Sequence, residues 1–150
     1  MKPFRFAFAL VLALYTGAVA LAVSDRGSPD EAKALAIKAA QYLKEVGPQK
    51  AFADFNAKEG PWHDRDLYVF VQDDSFTVRA HGTIPAFIGK SFPDLKDVDG
   101  KPFTQEQQAI KTEGWIEYKW QDPITKTVRP KKTYAVRVGE FTVAVGAYLE

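Results

Sequence analysis

The sequence predicts an α+β domain, with a long N-terminal helix packed on a central antiparallel sheet of about five strands. Three observations carry that reading. Leu35, Ala39, Tyr42, Leu43 and Val46 recur at the spacing of one helical stripe. Beyond Gly60-Pro61 the apolar period changes to two, the spacing of strands. The later strands are joined by short turns, so neighbours run antiparallel, and helices placed before and between hairpins give α+β.

The elements follow in order. Ser28-Pro29-Asp30-Glu31 forms a capping box, with a hydroxyl for the free amides, proline at the first helical position and glutamate at the third. Gly47 tolerates the backbone that ends this helix, and Pro48 suits the start of a shorter one carrying Ala51, Phe52 and Phe55. Asp66 to Gln72 reads as a strand with Leu67, Val69 and Val71 on one face and Tyr68 and Phe70 on the other. Two apolar faces make it central. Asp73-Asp74-Ser75 is a turn, and Phe76 to Ala80 returns as a second strand. Ile84 to Asp99 is irregular, and Thr104 is expected to cap a short helix to about Lys111. Gly114 to Trp120 puts Ile116, Tyr118 and Trp120 on one face; Asp122-Pro123 turns the chain. Thr133 to Val138 and Phe141 to Tyr148 are joined by Gly139-Glu140, with glycine where a type II′ hairpin requires it.

Composition removes whole classes of function. The 150 residues contain no cysteine, which excludes disulfide scaffolds, thiol nucleophiles, iron–sulfur clusters and cysteine zinc sites. Two histidines, His63 and His81, cannot build a histidine-rich metal site. Lys plus Arg is 20 against 19 for Asp plus Glu, so the basic footprint of a nucleic-acid binder is missing. No cofactor is expected. Asp94, Asp97 and Asp99 fail the ligand spacing of a calcium loop and read as a turn. At the N-terminus, Lys2 and Arg5 precede an uncharged run from Phe6 that ends in Ala20-Leu21-Ala22. This is the pattern of a secretory signal peptide, expected to occupy residues 1–22 and leave one domain over 23–150. The rival is an uncleaved anchor, since ~17 apolar residues is the lower limit for a span. Either way the domain is expected outside the cytoplasm, periplasmic or secreted, with no later span.

The ordered set Asp66-Leu67-Tyr68-Val69-Phe70-Val71, Ala80-His81-Gly82, Pro85, Ile88-Gly89 and Asp97-Val98-Asp99-Gly100-Lys101 resembles the single Cache domain family. Gly114-Trp115-Ile116-Glu117-Tyr118-Lys119-Trp120, Pro123, Pro130-Lys131, Thr133-Tyr134 and Val145-Gly146-Ala147-Tyr148 continue the resemblance. It implies a PAS-like sheet outside the cytoplasmic membrane and a pocket for small metabolites, commonly short carboxylates, in sensory receptors. Cache domains usually sit between two spans, with an output module inside the cell. This chain has neither after Glu150, so the expectation is a free-standing binding protein serving a separate membrane signalling partner.

The expected ligand residues are Tyr68, Phe70, His81, Tyr118, Trp120, Lys131 and Tyr134. The aromatics form either a box around a ligand or plain core. His81 holds the family's histidine position and is either a donor to a carboxylate or structural. Lys131 stands where the family keeps a pocket lysine, and an anion site needs a cation. Lys132 points the other way, so register decides between them. Two further readings stand beside the sensor: a structural or interaction protein whose pocket is self-filled, and an enzyme pairing His81 with Asp73 or Asp74. No triad, nucleophile elbow or paired carboxylate supports the enzyme.

Overall fold

A computed structural model describes residues 24–149; the leader, residues 1–22, lies outside the described residues. Helix α1 spans Pro29–Val46 and is closed at its start by the expected capping box. Ser28 Oγ accepts from the Glu31 amide at 3.2 Å, and Glu31 Oε2 accepts from the Ser28 amide at 2.7 Å. Gly47, at φ 80°, breaks the helix where an L side chain would be strained, and α2 follows over Pro48–Phe55. The buried side of α1 is Ala32, Ala36, Ala39, Ala40 and Leu43, while Leu35, Tyr42 and Val46 flank it. The expected stripe is therefore rotated toward the alanines, whose small size lets the helix lie close to the sheet.

The strands are β1 (His63–Asp64), β2 (Leu67–Asp73), β3 (Val78–His81), β4 (Glu113–Gln121), β5 (Val128–Val138) and β6 (Phe141–Tyr148). A 3₁₀ turn covers Pro85–Phe87, and a third helix, α3, covers Phe103–Ala109. The sheet order is β1-β2-β6-β5-β4, with β3 also paired to β2, and every pairing is antiparallel. As its two apolar faces require, β2 is flanked by strands on both edges. The Val138↔Phe141 pair closes a two-residue turn in which Gly139 alone has positive φ, at 57°. Among the described residues, no helix is long and apolar enough to cross a membrane.

Three details differ from expectation. A two-residue strand, β1, precedes β2. β5 begins at Val128 rather than Thr133, running through Pro130. Proline is tolerated there because its missing donation is replaced: Leu149 N still donates to Pro130 O at 2.9 Å, and the Arg129 guanidinium donates to Leu149 O at 3.0 Å. Thr104 is not the cap of α3, since Pro102 holds that position; its hydroxyl instead reaches Leu95 O at 3.3 Å, fastening α3 to the irregular chain before it.

The sheet has two different faces. α1 and α2 cover Leu67, Val69, Val71, Val136, Val143, Val145 and Ala147. The other face is covered by the chain from His81 to Ile110, where Phe103, Ile116 and Tyr118 form a second, smaller core.

Candidate functional site

On that second face, strand alternation brings together Tyr68 and Phe70 from β2, Tyr118 and Trp120 from β4, and Lys131 from β5, with His81 at the end of β3. Tyr68 lies 5.1 Å from His81 and 6.2 Å from Phe70, centroid to centroid. Tyr118 stacks on Phe103 of α3 at 4.2 Å, nearly parallel. These rings, with Phe87, Phe92 and Gln107, line a cavity of about 40 Å³. A single water needs ~10–15 Å³ by the same measure, so the space suits a molecule of a few heavy atoms.

Lys131 is 1% exposed and lies beside the cavity wall rather than on it. Its Nζ donates to the Tyr68 hydroxyl at 2.8 Å and sits 4.2 Å from the Tyr68 ring centre and 5.0 Å from that of Tyr148. Among the described residues no carboxylate pairs with it. Burial opposes its charge, but the Tyr68 and Tyr118 phenols and Asp66 favour it, and the balance raises its pKa above the ordinary lysine value. Lys132 is on the opposite face, 3.4 Å from Glu117 and over the Trp115 ring. Gly146, across from Thr133 on β6, makes room for Lys131: a Cβ there would collide with Lys131 Cε and Thr133 Oγ1.

The polar groups of the site present hydrogens. Tyr68 Oη accepts from Lys131 and lies beside the Tyr148 hydroxyl, which itself donates to Gln121 O at 2.6 Å. Tyr118 Oη accepts from Thr133 Oγ1 at 3.2 Å, which leaves its own hydrogen free to donate. His81 Nδ1 accepts from the Thr83 and Ile84 amides, at 3.3 and 3.0 Å, so the neutral ring carries its proton on Nε2. Burial, and then the nearby Lys131 charge, push the His81 pKa down to about 3. Burial also raises the Tyr118 and Tyr148 pKa values, so these two phenols stay protonated.

Tyr134 is a correction. It faces the helix side, edge-on to Trp115 at 4.8 Å and 4.9 Å from Lys33 Nζ, away from the cavity. It lies three positions beyond Lys131 in one strand, and an odd offset puts side chains on opposite faces. The residues that sequence reasoning missed are Phe87, Phe92, Phe103 and Gln107 on the covering segment, and Tyr148 and Gly146 on β6. The β6 pair was recoverable, because the Gly139-Glu140 turn sets Lys131 opposite Tyr148.

The acids that an enzyme would need beside His81 are held elsewhere. Burial pushes the Asp73 carboxyl up, but Ser75, Thr77 and Arg79 donate to it and keep it below the ordinary range. Asp74 pairs with Arg137. Asp97 ties its turn to β4 by accepting from the Asp99, Lys101 and Lys119 amides, which accounts for the aspartates around Gly100.

A sheet with helices on one face and a small aromatic cavity under irregular chain on the other is the PAS-like arrangement of extracytoplasmic sensor domains. Residues 24–150 match the family model described as Single Cache domain 2, and the chain belongs to that family. Three solved structures share the fold. A methyl-accepting chemotaxis protein from Vibrio parahaemolyticus has 22% identity and a TM-score of 0.71, over 81% of this chain and 88% of that one. A Cache chemosensory domain described for carboxylic acid recognition has 20% identity and a TM-score of 0.68, over 81% and 92%. The periplasmic sensor domain of a chemotaxis protein has 20% identity and a TM-score of 0.64, over 81% and 90%. No curated protein matches the chain.

Proposed function

We propose that this domain binds a two- to four-carbon carboxylate outside the cytoplasmic membrane and reports its presence to a separate signalling protein. The observation that carries the reading is Lys131: a buried, protonated lysine with no carboxylate partner among the described residues. A buried cation held protonated without a carboxylate of the protein is a counter-charge for an anion. Around it, Tyr118 and His81 offer hydrogens, which suits an acceptor-rich anion. The structural neighbour described for carboxylic acid recognition supports the same class of ligand. The cavity of about 40 Å³ favours the small end of the range. It also favours one alternative, in which the protein's own side chains fill the space and no ligand enters. The role proposed is binding rather than catalysis, with the leader removed after Ala22; an intact mass starting at Val23 would support that processing, and retention of Met1 would contradict it.

Thermal melting in the presence of acetate, propionate or butyrate, each beside its neutral amide, tests the reading. At 100 times its dissociation constant a ligand stabilises the fold by about 2.7 kcal/mol, a readily measured rise. The acids should raise the melting temperature and the amides should not. Equal responses to acid and amide would sink the charge argument, and no response to either would favour the self-filled pocket.

A further inference from the structure

Gln107 is a polar side chain in an apolar place. It lies on α3, is 1% exposed, and lines the cavity beside Phe103 and Tyr118. Its side-chain nitrogen is buried and donates to no acceptor among the described residues. Its neighbour Gln108 does the holding. Gln108 Nε2 donates to Asp73 O at 2.6 Å, and Gln108 Oε1 accepts from Arg137 at 2.8 Å, which fastens α3 to β2 and β5 without help from Gln107. A buried amide nitrogen left unpaired costs stability, and a leucine of similar size would remove that cost. The position therefore has an acceptor missing, on a residue that lines the cavity.

We propose that Gln107 is a ligand-reading residue, whose side-chain amide donates to an oxygen of the small acid bound in the cavity. This rests on the carboxylate reading and adds a consequence to it. Lys131, Tyr68 and His81 belong to the sheet, whereas Gln107 belongs to the helix that covers the sheet. An acid held by both joins the two, so occupancy firms the seating of α3.

The test compares Gln107→Leu and Gln108→Leu with the unaltered protein, using sodium acetate and sodium propionate as probes. Melting without ligand comes first. Gln107→Leu should melt at or above the unaltered protein, because an unpaired buried amide has gone, while Gln108→Leu should melt lower, because its two bonds to the sheet have gone. Titration follows. Gln107→Leu should bind the better probe at least tenfold more weakly, and Gln108→Leu should bind it within about threefold of normal once folded. Amide hydrogen exchange is the last readout: the probe should slow exchange over 103–109 in the unaltered protein and not in Gln107→Leu. A lower melting temperature for Gln107→Leu with unchanged affinity would overturn the proposal and make Gln107 structural, leaving the carboxylate reading intact. If the unaltered protein binds neither probe, both fall together.

Discussion

His81 is kept neutral by its surroundings, and that has a measurable consequence for stability. The unfolded imidazole titrates near 6.5 and the folded one at about 3, so between those values the unfolded chain binds more protons and stability falls as pH drops. The loss between pH 7.5 and 5 should be about 2 kcal/mol. The Glu31 carboxylate, held at about 2 by Arg65 and the Ser28 amide, acts only below its unfolded value of 4.5 and leaves that window clear. Urea unfolding at the two pH values measures the slope, and His81→Gln should flatten it. A flat profile in the unaltered protein would contradict a buried neutral ring. Gly146 gives a second residue-scale expectation. Gly146→Ala drives a Cβ into Lys131 and Thr133, so it should cost ~1–3 kcal/mol and remove the acid response by displacing the lysine. Normal binding by that variant would show that Lys131 does not need its present course across β6.

At the scale of elements, α1 carries the larger core. Leu43 is 3% exposed in the cluster with Leu67, Val69 and Val145, so Leu43→Ala should cost ~2–5 kcal/mol by denaturant unfolding. A loss under ~0.5 kcal/mol would place it with surface residues. Much of this layer was legible in the sequence, because its signals are local: Ser28 and Glu31 cap within one turn, Gly47 ends within one residue, and the Gly139 turn fixes a register. The same register, followed to its end, puts Tyr134 on the face opposite Lys131 and pairs Lys131 with Tyr148. The covering segment was illegible for a different reason. Phe87, Phe92, Phe103 and Gln107 are brought together by tertiary bonds such as Thr104 to Leu95 and Gln108 to Asp73, which leave no period in the chain.

For the whole molecule, one sheet serves two purposes. Its helix-covered face stabilises the fold through alanine, valine and leucine packing, and its other face holds polar groups at the edge of a small space. The chain leading into α1 is fastened to the same sheet. Arg26 bridges the buried Asp66 before β2 and the buried Asp122 after β4, at 3.1 and 2.7 Å, and the Gly27 amide donates to Asp66 at 2.6 Å. The central claim is that Lys131 is a charge awaiting an anion, and isothermal titration of acetate and propionate into Lys131→Met and Lys132→Met tests it most directly. Lys131→Met should show no binding heat while still melting as a folded protein without ligand. Lys132→Met, altered on the opposite face, should bind as the unaltered protein does. Retained binding in Lys131→Met, or equal loss in both variants, would contradict the account.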